Sequence, residues 1–296
     1  MHTLYLDNST LSSLAKCETQ AVIRYHHGYR ASAMESGPIQ AGVWAHQVLA
    51  RYFQGRSMEE TLAVPFDDFE ALLAAPLGDR FHPTNLVRIM RRWIDTHPLS
   101  SLPFRVSPQM TEIGAQARLT DPDVCVCGHH QEMHTPQMGC LDECSGCREF
   151  TEVVFVGRLD TVGQLPSGGW IVEDHKTTGD ISREWLRRFE LDSQMSGYIW
   201  LLQQHLGTPV EGAIILAIEI AKLPSTTTRK CATHKVLYEE CGTLHAKSEI
   251  VLTDRTPAML VEWRRTALEL AARFYRSRAR RRARAHRALA IFCGAG

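Results

Sequence analysis

Two aspartates and a lysine, Asp160, Asp174 and Lys176, are the residues of this chain best placed for hydrolytic chemistry. They fall within residues 153–177, VVFVGRLDTVGQLPSGGWIVEDHKT. Residues 153–162 are mostly β-branched or apolar, Pro166-Ser167-Gly168-Gly169 has turn chemistry, and residues 170–176 form a second β-rich run. The pattern predicts two strands joined by a tight turn, with Asp160 near the end of the first. Side chains alternate along a strand, so Asp174 and Lys176 share one face while Glu173 and His175 take the other. Two carboxylates on neighbouring strands suit Mg²⁺ or Mn²⁺, which lowers the pKa of a bound water. The lysine beside them orients that water or offsets charge on a phosphate. The same residues also make an ordinary hairpin with a surface ion pair, and D-x-K alone leaves both readings open.

Further residues narrow the choice. G-R-L-D at Gly157–Asp160 is followed by E-D-H-K-T at Glu173–Thr177 and by Q-M-S-G-Y at Gln194–Tyr198. This order resembles the PD-(D/E)XK nuclease superfamily, and within it the RecB-type and CRISPR-adaptation-type exonucleases, over roughly residues 17–220. The resemblance implies a restriction-endonuclease-like α/β fold, a central mixed sheet flanked by helices. It implies Asp160, Asp174 and the backbone carbonyl of His175 as ligands of the catalytic Mg²⁺ or Mn²⁺, with Lys176 as the catalytic lysine. Gln194 and Tyr198 then face the DNA, where an amide bonds phosphate or base and a phenol stacks.

The elements that position these residues come from periodicity. Residues 38–53 predict a helix with Pro38 in its first turn, and Gly42, His46, Leu49 and Phe53 lie on one face. A histidine on an apolar face is commonly a satisfied core residue. In the resembled family a G-x-x-x-H helix ahead of the catalytic strands supplies a histidine ligand, which implies His46 as one, and an imidazole suits Mn²⁺ better than Mg²⁺. Residues 9–29, 66–75 and 84–96 also predict helices, the last with a basic face of Arg88, Arg91 and Arg92. Residues 106–119 predict the first core strand, whose Glu112 is either a plain strand acid or a neighbour of the metal. After the hairpin come helices at 182–189 and 191–206, strands at 210–221 and 234–239, and a long helix from Thr256. Its Arg/Ala run at 276–287 reads as a phosphate-gripping basic helix or a poorly ordered tail.

Between the first and second core strands the pattern breaks. Residues 121–150 lack apolar periodicity but hold C-x-C-G-H, His134, Cys140 and Cys144-x-x-Cys147. A Cys-x-x-Cys turn directs two sulfurs into one tetrahedral site, and Gly128 and Gly146 ease such turns. The segment is too small for an apolar core, so a structural Zn²⁺ must fold it. The expected ligands are Cys127, His134, Cys144 and Cys147, with Cys125, His129 and Cys140 in reserve.

Length and composition set the bounds. The 296 residues suit one elaborated domain with an insert, and 44% hydrophobic against 22% charged content is that of a globular protein. The expected division is 1–120 for the N-terminal helices and first strand, and 121–150 for the zinc insert. The catalytic hairpin and Gln/Tyr helix take 151–255, and 256–296 holds the C-terminal helix and Arg-rich tail. Zero net charge excludes a global pull towards nucleic acid, so any attraction is local. No apolar run spans a bilayer and no signal-peptide pattern opens the chain, so a cytoplasmic location without membrane attachment is expected. Nine cysteines without a secretion signal favour metal over disulfides. Many members of the resembled family close their fold with a four-cysteine iron–sulfur cluster, one cysteine N-terminal and three near the C-terminus. Cys17 matches the first, but only Cys293 follows Trp263, while Cys231 and Cys241 precede the long helix. No iron–sulfur cluster is therefore expected, and Cys17 is expected to be a buried helix thiol.

The expected function is metal-dependent hydrolysis of DNA phosphodiester bonds, as an exonuclease on single-stranded or frayed duplex ends, alone or within a recombination or DNA-processing complex. The rival is a non-catalytic DNA-binding or assembly module using the same fold and zinc lobe, against which the complete acid–acid–lysine set counts. A zinc hydrolase centred on the insert lacks an acid/base pair.

Overall fold

A strand has two edges, and the strand that carries Asp160 shares one of them between two neighbours. The structure, a computed structural model, describes residues 2–26, 28, 36–135, 139–140, 151–221, 230, 234–236 and 246–293. In chain order, strand β1 (His2–Leu6) is followed by helices α1 (Asn8–Lys16), α2 (Glu18–Ala21), α3 (Gly37–Phe53), α4 (Met58–Leu62), α5 (Glu70–Leu73) and α6 (Pro83–Thr96). Then come strands β2 (Arg105–Arg118), β3 (His134–Thr135), β4 (Gly139–Cys140), β5 (Thr151–Gln164) and β6 (Trp170–Thr178). Helices α7 (Arg183–Arg187) and α8 (Ser193–Leu206), strands β7 (Val210–Glu219) and β8 (Ser248–Thr253), and helix α9 (Pro257–Cys293) complete the order.

The main sheet runs β1-β5-β6-β7-β8, with β2 also paired to β5. β2 lies antiparallel along most of one β5 edge, from Arg118↔Val154 to Arg105↔Gln164. The other edge is divided. β1 pairs in parallel with Thr151–Phe155, and β6 pairs antiparallel only from Gln164↔Trp170 to Thr161↔Glu173. β6 is parallel to β7, and β7 antiparallel to β8, so the sheet is mixed as expected.

Helices cover both faces. One core packs α1, α2, α8 and α9 over Leu4, Val153, Phe155, Leu159, Val172 and Ile215. The other packs α3, α5 and α6 over Ile171, Ile214, Leu216 and Ile218. Strand alternation therefore sends neighbouring β6 residues into different cores: Val172 goes to the α8 side and Ile171 to the α3 side. Burying side chains such as Trp44, Phe53 and Phe155 stabilises by roughly 1.5–3 kcal/mol each, which fixes the helices against the sheet.

Several expectations change. The helix read over residues 9–29 is broken at Cys17, whose φ of −158° and ψ of 105° is extended backbone, and a π-helical turn follows at Val22–His26. That break turns the Cys17 thiol outward, so it is exposed and not buried. The helix read at 66–75 shrinks to Glu70–Leu73. His234–Val236 are not strand, and residues 237–239 lie outside the described residues. Strands β1 and β8 of the main sheet were not foreseen, nor was the short β3–β4 pair in the insert. α9 carries its helical backbone through the Arg/Ala run. Among the described residues no helix is long and apolar enough to cross a membrane.

Candidate active site

The site forms where β6 leaves β5. After Thr161↔Glu173 the two strands part, while β6 keeps its ladder to β7 as far as Thr178↔Glu219. The backbone N–H of His175 thus loses its strand partner on the β5 side. Asp160 replaces it, its Oδ2 accepting that N–H at 3.0 Å. The same oxygen lies 3.3 Å from Nδ1 of His46 on α3. Burial works against ionising Asp160, but the His46 hydrogen bond and the charges of His175 and His46 prevail and hold the carboxyl well below the usual carboxylate range.

On the α8 side of β6, Asp174 and Lys176 stand as alternation requires. Lys176 Nζ is 2.7 Å from Asp174 Oδ2 and donates to Gln194 Oε1 at 3.1 Å. Gln194 Nε2 donates in turn to Asp174 Oδ1 at 3.3 Å and to Tyr198 Oη at 3.0 Å. One amide thus spans the acid, the lysine and the phenol. Burial pushes the Asp174 carboxyl up, Lys176 opposes this and Asp160 reinforces it. Burial and the nearby Asp174 charge raise Tyr198, so its hydroxyl stays protonated.

The start of α8 is set locally. Asp192 caps the helix, its side chain accepting from the backbone N–H of Gln194 and Met195, which fixes Gln194 in the first turn. Gly207, at φ 66°, ends the helix in the left-handed conformation. Gly157 lets α8 approach β5, since a Cβ there would lie 2.9 Å from Leu201 Cδ2 and 3.4 Å from Tyr198. The G-R-L-D motif therefore needs its glycine for packing, while its aspartate closes the fork at His175.

On the α3 side, His175 Nδ1 lies 2.7 Å from Glu173 Oε1, both side chains almost wholly buried. The His175 ring stacks on Phe53 at 5.4 Å and lies 5.1 Å from the His46 ring. Burial opposes charging of His175, but Glu173, followed by Asp160 and Asp174, outweighs it and pushes the imidazole up to about 9. Glu112 joins from β2. The flanking pairs Thr111↔Thr161 and Ile113↔Leu159 set it opposite Asp160, and its φ of 57° is left-handed. A non-glycine residue held there costs on the order of 1–3 kcal/mol, and such strain gathers at functional sites. Burial and the Asp160 charge raise the Glu112 carboxyl, and Arg158 Nε lies 2.8 Å from its Oε2. Glu112 is thus a neighbour of the site and not a plain strand acid.

The donor set fits a divalent cation. Donor atoms of His46, Asp160 and His175 all lie within 4.8 Å of one another. Of the residues expected from the sequence, His46 and Asp160 come together. Asp174 does not join that close group, being engaged by Lys176 and Gln194 on the neighbouring face. The imidazole of His175 joins it instead, where the sequence pointed only to the backbone carbonyl. The signal was present in E-D-H-K, two ionisable residues alternating with the D-x-K pair.

A second donor group stands in the insert, where Cys125, Cys127 and His134 converge within 4.8 Å. Cys127 Sγ is 3.5 Å from both His129 Nδ1 and His134 Nε2. Cys125, held in reserve by the sequence, is buried, and its sulfur accepts the Thr151 N–H at 3.2 Å. Cys144 and Cys147 lie outside the described residues, as does the side chain of Cys140.

The family model described as the PD-(D/E)XK nuclease superfamily matches residues 8–294. No curated protein matches the sequence. The solved structure described as "Crystal structure of SSO0001" aligns over 87% of this chain and 86% of that chain, at 12% identity and a TM-score of 0.30, a likeness too loose to inform the fold.

Proposed function

Since the chain belongs to the PD-(D/E)XK nuclease superfamily, we propose that it is a Mg²⁺- or Mn²⁺-dependent deoxyribonuclease of the RecB type, trimming single-stranded or frayed DNA ends in the cytoplasm. The observation that carries this reading is the joining of Asp174, Lys176, Gln194 and Tyr198 by one side-chain amide beside the Asp160 fork. His46, Asp160 and Asp174, with the backbone carbonyl of His175, would hold the ion. When bound, it supplies Lewis-acid polarisation of a phosphoryl oxygen and a water of lowered pKa.

The chain's own residues do the rest. Asp174 and Gln194 restrain the Lys176 ammonium, which removes much of the rotamer freedom of a long side chain before substrate arrives. A cation so held stabilises charge developing on the phosphate without reorganising during the reaction. Gln194 and Tyr198, half-buried at the start of α8, offer an amide and a phenol to a strand laid across the fork. A non-catalytic DNA-binding module has no need for a lysine restrained by an acid and an amide, so the catalytic reading is preferred.

The Cys125, Cys127 and His134 group is assigned a structural Zn²⁺, since thiolate and imidazole donors suit that ion.

End-labelled single-stranded and duplex DNA incubated with purified protein should be shortened from its ends with Mn²⁺ and left intact with EDTA. Closed circular single-stranded DNA should survive. Cutting of the circle would refute the end-dependent mode, and no cleavage of any substrate with either metal would refute the nuclease reading.

A further inference from the structure

The pair Glu173–His175 is not required by the D-x-K chemistry. Both side chains point away from Asp174 and Lys176, into the core beneath α3. Simple packing does not account for them. Neighbouring positions on that face are apolar, Ile171 on the same strand and Ile214 and Leu216 on the next. Taking an ion pair out of water costs several kcal/mol per ion, and an apolar pair of similar volume is commonly as stable or more so. This pair is also incompletely satisfied. Glu173 Oε2 and His175 Nε2 are buried and have no hydrogen-bond partner among the described residues.

The position of the imidazole supplies the reason. Glu173 engages Nδ1 at 2.7 Å, leaving Nε2 as the nitrogen that can exchange its proton for a cation. The ring belongs to the group whose donor atoms, with those of His46 and Asp160, lie within 4.8 Å of one another. A carboxylate behind a histidine, fixing its tautomer and raising its basicity, is the usual support of a metal-ligating imidazole.

We propose that His175 ligates the catalytic divalent cation through its imidazole, with Glu173 as the buried carboxylate that orients it. This rests on the metal site of the proposed function and extends it. The residue between Asp174 and Lys176 then acts through its side chain as well as its backbone, and the first coordination sphere holds two imidazoles, from His46 and His175. Imidazole nitrogen suits Mn²⁺ and later transition metals better than Mg²⁺, so the pair sets metal choice. Glu173 is a positioning residue, acting only through His175.

The test is metal binding by the full-length protein without DNA. Mn²⁺ and Mg²⁺ affinities are measured by calorimetry, and nitrogen couplings to bound Mn²⁺ by pulsed electron paramagnetic resonance. Wild type should show two imidazole nitrogens. His46→Ala should keep one. The double variant Glu173→Val/His175→Phe removes both buried partners together, so neither is orphaned. It should keep one nitrogen, bind Mn²⁺ about 10- to 100-fold more weakly, and lose much of its preference for Mn²⁺ over Mg²⁺. Glu173→Gln, which retains an acceptor for Nδ1–H, should weaken Mn²⁺ about tenfold while keeping both nitrogens, and it carries the test if the double variant does not fold. A single coupled nitrogen in wild type, lost in His46→Ala, with unchanged affinity in the Glu173 and His175 variants, would refute the proposal and leave the metal site standing. Wild type that binds neither ion would overturn the metal site itself, and this proposal with it.

Discussion

Asp160 Oδ2 accepts the backbone N–H of His175 at 3.0 Å across the point where β5 and β6 part, so one carboxylate both closes the fork and faces the candidate metal site. Structure and chemistry therefore meet in one group, and substitutions can separate them. Asp160→Ala leaves a buried N–H unsatisfied and should destabilise the protein by about 1–3 kcal/mol as well as abolish cleavage. Asp160→Asn keeps an acceptor oxygen but removes the charge. It should fold within about 1 kcal/mol of wild type, yet cleave at least about a thousandfold more slowly. Thermal denaturation beside single-turnover digestion checks both, and wild-type cleavage by either variant would refute the assignment.

How much of this was legible in the sequence follows from how far apart the partners lie. The hairpin, α3 and α8 were readable because turn residues and periodicity are local, and their boundaries moved by only a few residues. The edge strands β1 and β8 escaped notice. β1 pairs with Thr151–Phe155, far along the chain, and nothing within H-T-L-Y-L announces that partner. The helix read through Cys17 failed because no glycine or proline marks the break there. Alternation did place Glu173 and His175 opposite Asp174 and Lys176. It could not tell that α3 would bury that face, nor that Phe53 would stack on the imidazole. The site of Glu112 likewise depended on the β2–β5 register, in which the pairs Thr111↔Thr161 and Ile113↔Leu159 flank the acid, and no local pattern announces that register.

Lys176 is held by Asp174 at 2.7 Å and Gln194 at 3.1 Å, so its ammonium competes with a cation for the Asp174 carboxylate. Lys176→Met should bind Mn²⁺ at least as tightly as wild type, since that competitor is gone. Turnover should still fall by about two to three orders of magnitude, as for losing one preorganised electrostatic group. Calorimetry paired with single-turnover cleavage separates the two effects. Loss of metal binding in this variant would mean that the lysine supports the site structurally.

Gln194 and Tyr198 differ in what they hold. Gln194→Ala frees both Asp174 and Lys176, and misplacing a catalytic group by about 1 Å can cost on the order of 100-fold in turnover. Tyr198→Phe removes an acceptor for the Gln194 amide at 3.0 Å and a polar contact with the Asn8 side chain but keeps the ring, so its turnover should drop no more than about tenfold. If the ring stacks on a base, Tyr198→Ala should instead weaken single-stranded DNA binding by about 1–3 kcal/mol with cleavage blocked by Ca²⁺. Equal effects of the two phenol variants on binding would show that the ring is not a stacking platform.

The insert is anchored to the sheet through the same cysteine that the sequence placed in reserve. Cys125 Sγ accepts the N–H of Thr151, the first residue of β5, and Val126 N–H bonds Thr151 O at 2.7 Å. A Zn²⁺ held by Cys125, Cys127 and His134 would therefore fix the start of the strand that carries Asp160. Elemental analysis should find one Zn²⁺ per chain that resists dialysis sufficient to remove Mg²⁺. Cys125→Ser with Cys127→Ser should release it, since thiolates bind this ion far better than hydroxyls. Hydrogen exchange should then speed up at Thr151–Phe155 and at the paired His2–Leu6, while β6 and β7 keep their protection. Zinc-free protein with slow exchange at Thr151–Phe155 would show that the cysteines pack without a metal.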